Sequence, residues 1–145
     1  GMDLSVITEI AEYFERQMGY EIPTRTPFVG RNFNVTRAGI HADGMLKDQE
    51  IYNIFDTEKI LNRVPAVAVD SHSGAAGIAY WINSYFRCTG ENKVDKHAKI
   101  VAEIKILVDE EYRTGRNTSM SDQELETLLK KVDPKMHKEL TMKSI

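Results

Sequence analysis

The sequence predicts a mainly α-helical protein of small helical subdomains with at most a short strand pair. Three observations carry that expectation. Apolar residues recur at helical spacing in three separate segments, near residues 3–18, 95–112 and 121–132. Only one stretch, Val64-Pro65-Ala66-Val67-Ala68-Val69, reads as a strand, and it is short. The chain has 145 residues, too few for a complete α/β barrel, which needs about 250.

The elements follow in order. Leu4, Ile7, Ile10, Ala11, Phe14 and Met18 form a helical stripe over 3–18, and Gly19 supplies a stop. Residues 1–19 are thus a lead-in helix. Pro23 and Pro27 remove backbone donors and fix an extended path from Tyr20 to Phe28, which reads as a linker laid over a surface. Gly30 to Gly44 is loop-rich, and Asp43-Gly44 is a turn signal. A short helix is expected from Asp48 to Phe55, burying Ile51, Ile54 and Phe55. Asp56-Thr57-Glu58-Lys59 starts a further turn that carries Ile60 and Leu61. Residues 20–63 are expected to form a linker and a subdomain that bears His41 and Tyr52, and 64–145 a helical C-terminal subdomain.

In that subdomain, Ser71 or Ser73 is placed to cap a helix from about Gly74 to Phe86, with Ala75, Ile78, Ala79, Ile82 and Phe86 inward. Thr89 to Lys93 is a polar connection. Ile100, Ile104, Leu107, Val108 and Tyr112 mark a helix that breaks around Gly115. Ser121-Asp122-Gln123-Glu124 is a capping box ahead of Leu125, Leu128, Leu129 and Val132, a helix ended near Pro134. The lysine-bearing tail beyond is expected to fray.

Composition sets outer limits. The chain is 41% apolar and 28% charged, with a net charge of −3, which gives no global reason to expect nucleic acid or an acidic membrane as partner. No apolar run approaches the ~20 residues of a membrane span. Gly1-Met2-Asp3 lacks the basic start and apolar core of a secretory signal, and Gly1 reads as a residue left by tag removal. One cysteine, Cys88, excludes an internal disulfide and fits a reducing compartment. The expected location is cytoplasmic.

Chemistry is concentrated in Ala38-Gly39-Ile40-His41-Ala42-Asp43-Gly44, which puts an imidazole between two glycines, and in Tyr52 downstream. An imidazole titrates near neutrality, so it can both take and give a proton. A buried phenol can orient a base or donate a hydrogen bond to developing negative charge. The simpler readings are a loop histidine satisfying a turn and a tyrosine packed with Ile51 and Phe55. Asp43 is expected to shape the turn. His72 and Ser73, in Asp70-Ser71-His72-Ser73-Gly74, read as capping and packing residues, since no third orienting group follows them. His41, His72, His97 and His137 show no paired ligand spacing, so no metal ligand is assigned. Cys88 has no local base and reads as an inert thiol; Trp81 reads as packing.

The segment from Asn32-Phe33 through Gly39-Ile40-His41-Ala42-Asp43-Gly44 resembles the stretch ending in Gly-Ile-His-x-Asp-Gly of the Claisen-condensing acyltransferases: the 2-isopropylmalate, homocitrate and Re-citrate synthases. The resemblance is strongest from Thr26 to Phe86 and covers the region that follows the catalytic barrel, the barrel itself being absent. His41 and Tyr52 stand eleven positions apart, the histidine-to-tyrosine spacing of homocitrate synthases. Ile51 to Arg63 and Gly77 to Asn83 look most like the Re-citrate and homocitrate branch. The Gly-Lys-His-Ser-Gly segment of 2-isopropylmalate synthases is altered here, Asp70 and Ser71 replacing glycine and lysine, so no role tied to that lysine carries over. The helical pattern after residue 88 does not resemble the leucine-sensing domain of those enzymes.

The resemblance implies that His41 reaches a barrel active site, commonly that of the neighbouring subunit, and acts in the proton transfer that activates acetyl-CoA, with Tyr52 assisting. It also implies a homodimer and a barrel partner in cis or on a second chain. The divalent metal and acetyl-CoA belong to the complete enzyme; none is expected to be bound by this region alone. The metal's ligands in that family, an aspartate, a His-x-His pair and an asparagine, lie on the barrel. The isolated chain is expected to be inactive. The alternative is a non-catalytic helical interaction or dimerisation module.

Overall fold

The computed structural model describes residues 3–36, 42–44 and 55–143. The mainly helical expectation holds. Helix α1 spans Val6–Met18 and ends where Gly19 takes a left-handed φ of 60°. It starts later than its apolar stripe because Asp3 Oδ1 accepts from both the Ser5 amide and the Ser5 hydroxyl, holding the chain in a turn. Of its residues only Ala11 is buried; Ile10, Phe14 and Met18 lie exposed. The periodicity located the helix and left its apolar face uncovered.

The run from Tyr20 turns repeatedly: Glu15 Oε1 accepts from the Ile22 amide at 2.7 Å and Gly30 N donates to Thr26 O at 2.8 Å. Strand β1, Val35–Thr36, lies parallel to β2, Ala66–Val67, with Val35 opposite Ala66 and Thr36 opposite Val67. The strand-like run 64–69 gives only two ladder residues. Pro65 has no donor to offer, and Val69 pairs elsewhere, accepting from Met120 N at 2.9 Å. Between the strands, helix α2 (Thr57–Leu61) is capped by Asp56, whose side chain accepts from Lys59 N, and closes at Asn62 with φ 55°. Thr8 Oγ1 donates to Leu61 O at 2.9 Å, tying α1 to α2.

Helix α3 (Ala75–Tyr85) is the central element, with every residue from Gly77 to Asn83 buried. Its N-cap is Gly74, with no side-chain cap. The expected serine cap is therefore corrected. Ser73 Oγ instead accepts from Asp70 N at 2.9 Å and donates to Ala68 O at 3.2 Å, and so holds the preceding turn. Helices α4 (Lys99–Arg113), α5 (Asp122–Val132) and α6 (Pro134–Lys143) pack with α3 around a core that includes Ile78, Ile82, Ile104, Val108, Leu125 and Leu129. The capping box is present, with Ser121 accepting from Glu124 N and Glu124 accepting from Ser121 N. The expectation of a frayed tail is corrected. Pro134 opens α6, where its missing N–H is an orphan of any first turn, and Leu140 joins the core.

Candidate functional site

His41 and Tyr52 lie outside the described residues, as does most of the short helix expected from Asp48 to Phe55. The structure describes the frame on both sides of them. Residues 42–44 form a helical turn. Ala42 is wholly buried in a small cluster with Val67 and Tyr80, with Ala76 packed against it. Tyr80 donates its hydroxyl to Pro65 O at 3.0 Å, and burial, aided by the charge of Glu58, pushes the phenol up to about 12. It therefore stays protonated and keeps donating, which fixes β2 against α3. Asp43 does more than shape a turn, because its carboxylate pairs with the ammonium of Lys96, just ahead of α4.

The downstream edge is aromatic. Phe55 stacks on Phe28 with centroids 5.6 Å apart and planes 21° from parallel. Phe28 adopts φ 66°, rare for a bulky side chain. Arg63 holds it there, donating to Phe28 O at 3.3 Å and to Arg31 O at 2.8 Å while its guanidinium lies 4.8 Å from the Phe33 centroid. Desolvation lowers the Arg63 pKa from its ordinary value. Lys96 and Arg63 were not singled out by sequence reasoning. No local pattern marks either, since the partner of Lys96 lies 53 positions away and those of Arg63 lie 35 and 32 away.

The turn before α3 is built differently from a nucleophile site. His72 is almost fully exposed, with its ring nitrogen 3.1 Å from Ser71 Oγ, and Asp70 Oδ1 accepts from the His72 amide at 2.9 Å. Beside it a cleft of about 730 Å³ is lined by Asp70, His72, Tyr112 and Arg116 among others. Two of these residues are engaged already: Arg116 forms two hydrogen bonds to Glu124 and Tyr112 donates to Thr118 O at 2.7 Å. Cys88 is half-buried, and burial raises its thiol above the ordinary value, which disfavours thiolate. Trp81 is packed in the core as expected and donates Nε1–H to Asp122 at 2.9 Å.

Among the described residues no group of three or more His, Cys, Asp or Glu is placed to hold a metal ion, and no helix is long and apolar enough to cross a membrane.

Known proteins give this frame a context. No family model matches the chain. It is 58% identical over 135 residues to a Re-citrate synthase of Clostridium kluyveri, covering 93% of this chain and 30% of that protein. A Re-citrate synthase of Syntrophus aciditrophicus is 49% identical over 94% of this chain and 22% of its own length. A 2-isopropylmalate synthase of Caldanaerobacter subterraneus is 32% identical over 66% of this chain and 24% of its own. The chain belongs to the 2-isopropylmalate and Re-citrate synthase family and corresponds to a C-terminal region of it. It spans less than a third of the length of these curated relatives.

Proposed function

We propose that this chain completes the active site of an acetyl-CoA-dependent 2-oxo acid acyltransferase, of the citrate-forming kind, whose catalytic barrel is supplied in cis or by a second chain. The observation that carries this is the 58% identity to a Re-citrate synthase over nearly the whole chain. In this reading His41 takes a proton from the acetyl methyl group, and the resulting carbanion bonds to the ketone carbon of the 2-oxo acid. The ketone oxygen gains a proton, with the Tyr52 hydroxyl donating to it as charge develops. Water then cleaves the thioester, releasing coenzyme A as a thiol and making the sequence irreversible. In this reading the divalent metal that polarises the ketone sits on the barrel. The working form is a cytoplasmic homodimer, and the chain alone is inactive.

The exposed stripe of α1, with Ile10, Phe14 and Met18 uncovered, favours a second reading, a helical interaction module without catalysis. A thiol-release assay separates the two. The chain joined to a cognate barrel is given acetyl-CoA, a divalent metal and, in turn, oxaloacetate, 2-oxoglutarate or 2-oxoisovalerate. Release with oxaloacetate supports the citrate-forming reading, and release with another acid keeps the acyltransferase while changing its substrate. Silence with all three, from a folded complex, leaves the interaction module.

A further inference from the structure

Helix α1 rests on the rest of the chain by one side only. Ala11 is buried there, Thr8 Oγ1 donates to Leu61 O, and Glu15 accepts from the Ile22 amide. A turn of about 100° per residue gathers Val6, Ile10, Tyr13, Phe14 and Met18 on the other side. All five are exposed, Ile10 by 61% and Met18 by 67%. Tyr20, edge-on to Phe14 at 6.1 Å, carries the stripe past the helix end. Single apolar residues on a surface need no explanation, but a contiguous stripe along a whole helix marks a contact surface.

The charges beside the stripe match a second copy of the same helix. Glu9 and Arg16 are both exposed and lie seven positions apart. They therefore stand on one edge of the stripe, next to Tyr13 and about 10.5 Å apart along the axis. Neither is engaged by another described residue. A second α1 laid end over end against the first, about a two-fold axis near Glu12, sets Val6 against the partner's Met18. The same axis sets Ile10 against the partner's Phe14, and symmetry repeats both contacts. In an antiparallel pair each edge of a helix runs beside the same edge of its partner. Glu9 then lies beside the partner's Arg16, and Arg16 beside the partner's Glu9. A parallel pair would turn this edge towards the opposite one, where Ala11 is buried against the rest of the chain.

We propose that the exposed face of α1 is a contact between two copies of this chain, an antiparallel α1 pair. The apolar stripe supplies the affinity, and Glu9 and Arg16 set the direction. Exposed ion pairs add little affinity, but they disfavour alignments in which like charges meet. The claim concerns the chain itself and does not rest on the function proposed above.

Sedimentation equilibrium of the 145-residue chain tests it, with helicity by circular dichroism as the check on folding. The wild-type chain is expected to dimerise below ~1 mM at low salt, as a small apolar contact allows. Ile10→Glu should raise the dimer Kd by roughly 30-fold or more. Met18→Glu makes the same comparison, so a fold lost in one variant does not remove the test. Glu9→Arg and Arg16→Glu should each raise Kd by about five-fold at low salt. The double variant Glu9→Arg/Arg16→Glu should return it to near the wild-type value. A chain that stays monomeric up to ~1 mM overturns the proposal and leaves the stripe to the rest of a longer synthase. A dimer indifferent to folded Ile10→Glu and Met18→Glu also overturns it, since the contact then lies elsewhere. Single charge variants without effect, or a double variant that does not recover, overturn the antiparallel arrangement.

Discussion

Asn83, on the buried helix α3, holds Val94 by two hydrogen bonds at once. Its Nδ2 donates to the Val94 carbonyl at 2.9 Å, and its Oδ1 accepts from the Val94 amide at 2.7 Å. Both bonds are buried, so the side chain replaces a backbone partner for a loop residue that would otherwise have none. Asn83→Ala leaves a donor and an acceptor unsatisfied and should cost roughly 2–4 kcal/mol. The expected reading is a lower urea midpoint at an unchanged denaturant slope. Asn83→Asp should be comparably damaging, because it sets an oxygen against the Val94 carbonyl. A midpoint within experimental error of wild type for either variant would show that the loop is held by something else.

His41 and Tyr52 are testable in the complete enzyme. If His41 moves the acetyl proton, His41→Ala should cut kcat by ~10²–10⁴. Tyr52→Phe keeps the ring and removes only the hydroxyl, so a fall in rate with folding preserved assigns the hydroxyl a role. An unchanged rate in His41→Ala removes it from the mechanism.

Acid should loosen the end of α4 from the start of α5. Arg116 grips Glu124 through two hydrogen bonds of 2.7 and 2.8 Å, and Ser121 N adds a third at 2.8 Å. Chiefly through Arg116, the Glu124 carboxyl is held down to about 2, from an ordinary value of 4.5. A depressed folded-state pKa adds stability that is complete above the ordinary value and disappears as pH falls from there towards about 2. Because Glu124 is 43% exposed, solvent screening limits the gain to about 1 kcal/mol or less. Glu124→Gln should therefore be less stable than wild type near neutral pH, and the gap should close on acidification. A gap that stays constant from about pH 6 to about pH 2.5 would remove the carboxylate from the account.

How legible these features were in the sequence depends on how local they are. The capping box at Ser121 and Glu124 was readable because both partners lie within four residues and each fills a known vacancy. The α4 stripe was readable because Ile100, Ile104 and Val108 meet one core. The stripe of α1 gave the helix but not its burial, since periodicity says which residues share a face and nothing about what covers it. Pro134 was read as an end, which it is, but it is also a beginning. A proline can follow one helix and open the next, and a tail rich in lysine with few apolar residues hid α6. His41 and Tyr52 rest on the resemblance alone, since both lie outside the described residues. Asp43's partner was not legible, because the sequence around Lys96 is indistinguishable from any charged loop.

Helix α6 offers a direct contrast. Leu140 is 6% exposed and Met142 is 69% exposed on the same short helix. Leu140→Ala should cost about 2–5 kcal/mol, whereas Met142→Ala should stay within about 0.5 kcal/mol of wild type. Equal, small effects would mean that the tail does not hold its place against α5 in solution.

The turn around Gly30 is where the smallest substitution should reach furthest. A methyl group at Gly30 would sit 2.5 Å from Thr24 O and 2.6 Å from Thr26 N. Both are backbone atoms, so neither can swing aside as a side chain might. Thr24 O already accepts from Asn32 N at 2.7 Å, and Gly30 N donates to Thr26 O at 2.8 Å, so relieving the clash means opening this double turn. Phe28 lies inside it, and its ring stacks on Phe55, three residues beyond Tyr52. Gly30→Ala should therefore cost ~1–3 kcal/mol and separate the Phe28 and Phe55 rings, seen as loss of their through-space proton contacts. Gly74→Ala is the matched control, since a methyl there meets nothing within 4 Å. It should cost under ~1 kcal/mol as a helix N-cap change. If the proposed function holds, the Gly30 variant should also slow the complete enzyme, because Phe55 would lose its stacking partner Phe28. If both glycine variants behave alike, close approach of the backbone is not what this turn requires, and Phe55 must be held by other contacts.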